Sequence, residues 1–328
     1  MRVAVDLMGG DGCGQLNLGG CLSYPYHDEM TAIGDSTRAA RQKVGELAEK
    51  GARVVLCLRS LKGKESFRVL LKHAHNTFLA IGMQLLAYQQ VDALVSSADT
   101  KEIVVLGRGV LGILQGPNRP ATAKGFQRPR GQFYMLESDA SIKCSPDLLR
   151  QFGRLDSALQ AACQQSATTA KDVSVVAPDA KPRVGFLNIG IERGKGNGGA
   201  KRAISLLEQQ KCINYTKLIE PSELFSVRAD LIVCNGYTGS LVLKTIENMA
   251  GHQRGQLAEL ANERDTAALS AQIDSDRYKG TLLAGLNGVV VKSHGSASER
   301  GFAFAILQGR EPTASRLIMA STQIPARK

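Results

Sequence analysis

The sequence contains no tryptophan, only 5% aromatic residues, and seven cysteines that form no C-x-x-C pair. An odd, scattered set of cysteines argues against a disulfide framework and against a structural zinc site. No apolar run reaches the roughly 18 residues that a membrane helix needs. The first residues, Met1 to Asp6, offer too short an apolar stretch for a secretory signal. These absences predict a cytoplasmic protein without a structural metal.

The charge is strongly one-sided, with 41 Lys and Arg against 30 Asp and Glu and a formal net charge of +11. Such a balance predicts an acidic partner or an acidic substrate. Nucleic acid is a common partner of basic chains, but the sequence contains no recognised DNA- or RNA-binding motif, and we expect no nucleic-acid partner. An acidic carrier protein, a phosphate-bearing substrate or an anionic membrane surface fits the charge equally well.

Apolar strand patterns alternate with helical patterns from end to end, which predicts an α/β fold with a largely parallel sheet. At 328 residues the chain is long enough for one large domain or two ordinary ones. The predicted strands are Val3–Asp6, Met30–Ile33, Arg53–Cys57, Ala93–Val95, Gln132–Leu136, Arg183–Asn188, Leu231–Cys234 and Gly288–Val291. The predicted helices are Ser36–Lys50, Thr77–Tyr88, Pro146–Gln164 (capped by Ser145) and Ala200–Gln210.

The segment Ala229-Asp-Leu-Ile-Val-Cys-Asn-Gly-Tyr-Thr-Gly-Ser-Leu-Val-Leu-Lys-Thr245 predicts a buried strand, a glycine-containing loop and the first turn of a helix. Gly236 and Gly239 allow a ligand to approach the backbone, and Thr238 or Ser240 is a candidate helix cap. Free amides at a helix start bind anions, which favours phosphate as the ligand. The same spacing also fits an ordinary strand-to-helix turn without a ligand.

Four further polar or glycine-containing segments adjoin predicted strands: 6–11, 96–100, 188–197 and 286–295. Ligands of open α/β sheets bind outside the carboxyl ends of the strands, so these loops are candidates for one shared rim. Lys195 lies between two glycines, which favours anion binding, whereas a lone histidine such as His294 is more often a hydrogen-bonded structural residue than a catalytic one. None of the segments matches a P-loop or a complete dinucleotide fingerprint.

The motifs, in this order, resemble the bacterial phosphate acyltransferase family of phospholipid synthesis. The matching pieces in the first half of the chain are Arg2-Val-Ala-Val-Asp-Leu-Met-Gly-Gly-Asp11, Ile33-Gly-Asp35, Val91-Asp-Ala-Leu-Val-Ser-Ser97, Gly116-Pro-Asn-Arg-Pro-Ala121 and Cys144-Ser-Pro-Asp-Leu-Leu-Arg-Gln-Phe152. Those in the second half are Pro182-Arg-Val-Gly-Phe-Leu-Asn-Ile-Gly190, Lys195-Gly-Asn197, the segment from Ala229 through Lys244-Thr245, and Tyr278 through Leu286-Asn-Gly-Val-Val-Val-Lys-Ser-His-Gly295. The resemblance covers nearly the whole chain.

The resemblance implies a three-layer α/β/α fold similar to phosphotransacetylases and to isocitrate and isopropylmalate dehydrogenases. It implies a single homodimeric domain over residues 1–328 with a helical excursion at 246–277. The implied reaction is attack of inorganic phosphate on an acyl-acyl-carrier protein, which forms acyl phosphate without a metal or organic cofactor. A peripheral contact with the membrane or with a further acyltransferase is left open.

We place the implied chemistry on polar and glycine residues of these loops. The candidate catalytic residues are Lys195, His294 and Asn235. The candidate phosphate- and substrate-binding residues are Asp6, Gly9, Gly10, Ser97, Thr100, Asn188, Gly190, Asn197, Gly236, Gly239, Lys244, Asn287 and Lys292.

Several loops depart from the family pattern. The family's Ser-Ala-Gly-Asn-Thr-Gly-Ala is here Ser96-Ser-Ala-Asp-Thr-Lys-Glu102, and its Asp-x-Gly-Ala-Asn is here Glu137-Ser-Asp-Ala-Ser141. These departures motivate an alternative, a catalytically impaired relative that binds the carrier protein or another partner. A dehydrogenase of similar fold is disfavoured because neither an aspartate metal cluster nor a nucleotide fingerprint is visible.

Overall fold

The computed structural model describes residues 1–10, 14–36, 38–57, 76–114, 117–128, 131–137, 140–155, 183–192, 195–196, 198–209, 215–226, 229–260, 274, 276 and 279–310. These residues form two compact units. The first unit contains the described residues up to Leu114 and from Lys279 onward, and the second contains those between Gln115 and Tyr278. The single domain over residues 1–328 stays a prediction.

The strands of the first unit have the order β3-β2-β1-β4-β11-β10. Neighbours from β3 to β11 pair in parallel, whereas β10 pairs antiparallel with β11. The apolar runs of β1, β2 and β4 are buried because helices cover both faces of a parallel sheet. The bounds are β1 Val3–Asp6, β2 Met30–Asp35, β3 Arg53–Cys57, β4 Ala93–Ser96, β10 Gly280–Ala284 and β11 Val289–Ser293.

Helices lie against both faces of this sheet. α3 and α4 cover the face that presents Ala4, Leu94 and Val290. α8 packs on β1, β4, β10 and β11 and also contacts α1. The helices of the unit are α1 Gln15–Leu22, α2 Arg38–Glu49, α3 Phe78–Ala87, α4 Thr100–Val110 and α8 Glu299–Arg310.

The strands of the second unit have the order β5-β6-β9-β7-β8. β6, β9, β7 and β8 are parallel, and β5 pairs antiparallel with β6. Phe126, Phe133 and Ile232 form a core with the apolar side of α7. The bounds are β5 Ala121–Arg128, β6 Gly131–Leu136, β7 Arg183–Leu187, β8 Tyr215–Ile219 and β9 Leu231–Val233, with α5 Pro146–Arg154, α6 Gly198–Glu208 and α7 Gly236–Leu260.

All eight predicted strands are present, with ends that shift by a few residues, and each of the four predicted helices overlaps an observed helix. The predicted helix Pro146–Gln164 is observed as α5, and its predicted part after residue 155 lies outside the described residues. The Ser145 cap is confirmed, because its hydroxyl oxygen accepts from the amide of Leu148 at 3.2 Å. The sequence analysis did not predict β5, β8, β10, α1 or α8. α7 covers the first part of the predicted excursion at 246–277, and residues 261–273 lie outside the described chain.

Candidate functional site

Three neighbouring parallel strands of the first unit end in polar residues that share one register. Asp6 of β1 pairs with Ser96 of β4, and Ser96 pairs with Lys292 of β11. Residues paired across parallel strands point to the same face, so the row carries a carboxylate, a hydroxyl and an ammonium side by side. The Ser96 hydroxyl donates to Asp6 Oδ2 at 2.7 Å. Charge and hydrogen-bond donors therefore meet at the carboxyl edge of the sheet, where ligands of α/β folds bind.

Asp6 organises the loop that follows β1. Its carboxylate accepts the amide hydrogens of Met8 at 3.0 Å and Gly9 at 3.2 Å. Burial raises the pKa of this carboxyl above its ordinary value, and the hydrogen bonds from Ser96, Met8 and Gly9 oppose that shift. The carboxylate therefore already accepts hydrogen bonds from the loop and from Ser96, and these bonds hold the loop in place. This finding favours a positioning role over direct contact with an anion.

A buried asparagine, Asn17 of α1, joins the loop after β1 to the loop after β4. Its side-chain amide donates to the Gly9 carbonyl at 2.9 Å and to the Ser97 hydroxyl oxygen at 2.8 Å. The Ser97 hydroxyl in turn donates to the Gly9 carbonyl at 2.9 Å. Ser97, predicted to bind phosphate, thus directs its hydroxyl hydrogen to the protein. Sequence reasoning missed Asn17, although a polar residue in a short apolar stretch is a usable signal for a buried hydrogen bond.

Positions 9 and 10 require glycine because atoms of the neighbouring loops approach their Cα atoms closely. A Cβ atom at Gly9 would lie 2.6 Å from the amide nitrogen of Ala98. Gly10 has φ +85°, and a Cβ atom there would lie 2.9 Å from both the Gly295 carbonyl oxygen and the Ser97 hydroxyl oxygen. The loops after β1, β4 and β11 are therefore in contact at Gly10. Here the structure brings together the predicted residues Gly9, Gly10 and Ser97 with the loop that follows His294.

His294 follows β11 at the same edge. Its Nδ1 accepts from the amide of Ser296 at 3.2 Å and lies 2.9 Å from the Ser296 hydroxyl oxygen. A backbone amide can only donate, so Nδ1 carries no hydrogen and the neutral ring carries its hydrogen on Nε2. The Ser296 amide thus fixes a tautomer in which Nε2–H is a donor.

Asn287 does not lie at this edge. It is in the exposed turn that precedes β11, and its amide donates to the Gly112 carbonyl at 3.2 Å. The whole length of β11, Val289–Ser293, separates it from His294, a span of roughly 16 Å at the usual rise of a strand. The prediction that Asn287 shares the site with Asp6 and His294 is corrected by this topology.

In the second unit, Asn188 closes the loop after β7. Its side-chain amide donates to the carbonyls of Gly190 at 2.7 Å and Lys195 at 3.3 Å. Gly196 has φ +79°, and a Cβ atom there would overlap the Asn188 side chain. Glycine at position 196, next to Lys195, is thus explained by the closed loop itself. Asn197 lies outside the described residues.

Lys195 lies on the surface of this loop with an ion-pair partner. Its ammonium contacts Glu192 Oε1 at 2.9 Å, and both side chains are more than half exposed. The carboxylate of Glu192 raises the pKa of Lys195, and the lysine lowers the pKa of Glu192. An incoming anion would have to compete with this carboxylate, so the role of Lys195 in anion binding stays a prediction.

α7 begins at Gly236, earlier than the sequence analysis predicted, and its cap is Asn235. Asn235 Oδ1 accepts from the Thr238 amide at 2.9 Å, so the predicted caps Thr238 and Ser240 are wrong. The amides of Gly236 and Gly239 donate to the carbonyls of Ser141 and Asn235. The interpretation of these two amides as a free anion site is therefore wrong, because both already have acceptors. Lys244 lies exposed further along α7.

The cysteines next to α7 are not activated nucleophiles. Burial and the negative charge of Glu137 raise the pKa of Cys144 to about 12. The same causes raise the pKa of buried Cys234, whose thiol donates to the Leu136 carbonyl at 3.2 Å. Both thiols are protonated at neutral pH, which disfavours an acyl-cysteine intermediate here.

Comparison with known proteins identifies the family. A family model described as "Fatty acid synthesis protein" matches residues 1–319. The chain belongs to this family. Its curated relatives include proteins named phosphate acyltransferase from Shewanella amazonensis, 30% identical over 93% of this chain and 91% of the relative, and from Pseudomonas fluorescens, 31% identical over the same shares.

Similarity to solved structures shows that this chain has a three-layer α/β fold with mostly parallel strands. A phosphotransacetylase from Streptococcus pyogenes superimposes with a TM-score of 0.59 at 12% identity, covering 97% of this chain and 94% of that chain. The EutD phosphotransacetylase from Staphylococcus aureus gives a TM-score of 0.54 at 12% identity over 98% and 94%. A 4-hydroxythreonine-4-phosphate dehydrogenase from Burkholderia phymatum gives 0.51 at 13% identity over 97% and 98%.

The residues that depart from the family pattern are accommodated without backbone strain around Ser96–Glu102. Asp99 caps α4 by accepting from the Lys101 amide at 2.8 Å. Among the described non-glycine residues, positive φ occurs only at Gln89 and Glu137. Ala98 and Lys101 therefore occupy ordinary conformations where the family has glycine, and Thr100 begins α4. In the second departing loop, the Glu137 carboxylate accepts from the Ser141 amide.

Across the described ranges, no three His, Cys, Asp or Glu side chains are grouped so that they could hold a metal ion. No described helix is both long and apolar enough to span a bilayer.

Proposed function

We propose that this protein is an acyltransferase that forms acyl phosphate from an acyl-acyl-carrier protein and inorganic phosphate, in the synthesis of fatty acids and phospholipids. Membership of the fatty acid synthesis family and relatives named phosphate acyltransferase support this activity. The observation that carries the proposal is the meeting of three loops around Gly10, beside a basic residue and a histidine.

Phosphate binds where the loops after β1, β4 and β11 touch. The amides of Gly10, Ser97 and Gly295 donate to no acceptor within the described part of the chain. Backbone amides near a sheet edge form anion-binding concavities. Lys292, at the end of β11, supplies positive charge beside them. Fixed donors and one ammonium suit a small dianion better than an extended nucleotide.

His294 stabilises the oxyanion that forms at the thioester carbonyl. The Ser296 amide holds Nδ1 as an acceptor, and we assign the Nε2–H as the donor to this oxyanion. Donors that are oriented in advance stabilise developing negative charge without reorganisation, which is often the largest contribution to catalysis. Holding phosphate close to the carbonyl carbon supplies the rest.

The reaction balances without a cofactor. An oxygen of hydrogen phosphate attacks the thioester carbonyl carbon, and a tetrahedral oxyanion forms. Collapse of this intermediate breaks the carbon–sulfur bond and makes the acyl–phosphate bond. The hydrogen of the phosphate passes to the departing sulfur, so the products are acyl phosphate and the free carrier thiol.

The remaining assignments concern partners and the second unit. The net charge of +11 suits an acidic carrier protein. Asn188, Gly190, Lys195, Asn235 and Lys244 of the second unit are proposed as substrate-binding residues, as the family resemblance implies. We further propose a cytoplasmic homodimer with a single functional domain, with a peripheral membrane contact or an acyltransferase partner as a later addition.

Transfer of radiolabelled inorganic phosphate to an acyl phosphate by the purified chain tests this proposal. Lys292→Met and His294→Ala should each lower kcat/KM by about 100-fold, the usual cost of a lost oxyanion or phosphate donor. Lys50→Met, at an exposed lysine just after α2, is the matched control and should keep wild-type activity. Wild-type activity in both site variants would refute the assignment.

A further inference from the structure

We propose that Asn17 is a positioning residue for phosphate, because its side chain sets the direction of the Gly10 amide. This inference rests on the proposed function. Asn17 lies in α1, belongs to none of the loops that follow β1, β4 and β11, and does not itself face the phosphate. It acts through the peptide group that joins Gly9 to Gly10.

The contacts of Asn17 are concentrated on one stretch of backbone. Its side-chain nitrogen lies within hydrogen-bond distance of the carbonyls of Leu7 at 3.1 Å and Gly9 at 2.9 Å, and of the Ser97 hydroxyl oxygen at 2.8 Å. The side chain is only 6% exposed, so water does not compete for these bonds. Hydrogen bonds in such surroundings hold their partners firmly.

The Gly9 carbonyl is held by two donors, Asn17 Nδ2 and the Ser97 hydroxyl, each at 2.9 Å. The described chain has no cis peptide bond. In a planar trans peptide the N–H points opposite to the C=O. Fixing the Gly9 carbonyl toward Asn17 and Ser97 therefore turns the Gly10 N–H away from them, toward the side on which we place phosphate.

The direction of the Gly10 amide needs such a restraint because the peptide joins two glycines. Both Gly9 and Gly10 lack a Cβ atom and explore more backbone conformations than any other residue. The described hydrogen bonds of the Asp6 carboxylate come from the amides of Met8 and Gly9 and from the Ser96 hydroxyl, and none of them comes from the Gly10 amide. Without Asn17, only the Ser97 hydroxyl would hold the Gly9 carbonyl, and the Gly10 amide would sample other directions.

Steady-state kinetics of Asn17→Ala and Asn17→Asp test the proposal. Aspartate keeps the shape of the side chain and removes the donor, so both variants should raise KM for phosphate by about tenfold or more. KM for the acyl substrate should change by less than about twofold, because binding of that substrate does not use the Gly10 amide. Equal changes in both KM values, or no change in either, would overturn the positioning role.

Thr77→Ala is the matched control for a general loss of stability. Thr77 is 3% exposed and caps α3 by accepting from the Ala80 amide at 3.3 Å. Loss of this helix cap should lower Tm and leave KM for phosphate unchanged. If Thr77→Ala raises KM for phosphate as Asn17→Ala does, the effect is one of stability and the proposal fails.

A double-mutant cycle with Ser97→Ala tests whether Asn17 and Ser97 act on the same group, the Gly9 carbonyl. Asn17 and Ser97 hold the same carbonyl, so the effects of the two substitutions on KM for phosphate should be non-additive. Additive effects would show that Asn17 acts elsewhere and would overturn the proposal. Ser97→Ala also serves as the variant of choice if changes at Asn17 prevent folding.

Hydrogen exchange separates this inference from the proposed function. In Asn17→Ala the peptide containing residues 8–10 should exchange faster, while β7 and β8 should exchange at the wild-type rate. A wild-type chain that forms no acyl phosphate would refute the proposed function alone. If residues 8–10 of Asn17→Ala exchange at the wild-type rate, the positioning role of Asn17 is refuted even when the wild type is active.

Discussion

Replacing Gly10 with alanine is the sharpest perturbation of the contact between the three loops. The new Cβ atom would lie 2.9 Å from the Gly295 carbonyl oxygen and 2.9 Å from the Ser97 hydroxyl oxygen. Both distances are shorter than a carbon–oxygen contact allows, so the loop after β1 has to move away from the other two. Because φ at Gly10 is +85°, the alanine also adopts an unfavourable backbone conformation.

The backbone conformation and the overpacking each contribute a separate loss of stability. A left-handed conformation costs a non-glycine residue about 1–2 kcal/mol. Overpacking against backbone that cannot yield adds about 1–3 kcal/mol. We therefore expect Gly10→Ala to lower the free energy of unfolding by about 2–5 kcal/mol in total. A shift of the Gly10 amide by a fraction of an ångström should lower kcat/KM for phosphate by about 10- to 100-fold.

Gly112→Ala is the matched control for this experiment. Gly112 has φ +78°, and a Cβ atom there would have nothing within 4 Å. Urea unfolding should therefore show only the conformational cost at Gly112, about 1–2 kcal/mol, and kcat/KM should be unchanged. Equal stability losses in the two variants, or full activity in Gly10→Ala, would refute the close contact of the loops.

Three further predictions concern stability. Gly45→Ala should raise the free energy of unfolding by about 0.5–1 kcal/mol in thermal or urea unfolding, since Gly45 lies inside α2 with open space around its Cα; a loss of stability would contradict this. Asn235→Ala should cost about 0.5–2 kcal/mol, because the side chain caps α7 through the Thr238 amide, and an unchanged Tm would argue against the cap. The ion pair with Arg310 lowers the pKa of Glu29 from 4.5 to about 2, so its stabilisation is fully present above pH 4.5 and is lost as the pH falls toward 2. Acid unfolding of Glu29→Gln should therefore show a weaker pH dependence in that window, and an unchanged slope would refute it.

Most of the parallel strands were predictable because each is a short run of apolar residues. Val3–Asp6 and Leu231–Cys234 are buried on both faces, so their sequences show burial without any knowledge of the neighbours. β5 was not predicted. It pairs antiparallel with β6 and contains Lys124, which is 1% exposed. A lysine interrupts the apolar pattern, and only the tertiary structure shows that its surroundings bury it.

The candidate site was predictable in its loops but not in its contacts. The glycines after β1 and the polar residues near the end of β11 were found from local spacing, and the loops that follow these two strands meet at Gly10. The role of Asn17 depends on a contact with Ser97, 80 residues away, which no local pattern contains. The start of α7 was placed too late because Asn235 caps a helix that begins with glycine, and glycine is a weak helix former.

The most direct test of the account is release of free carrier thiol from a long-chain acyl-acyl-carrier protein by the purified full chain, with and without inorganic phosphate. The account predicts thiol release that requires phosphate and is accompanied by an equal amount of acyl phosphate. A folded chain that releases no thiol in the presence of phosphate would contradict the acyltransferase and favour a relative that binds the carrier without acting on it.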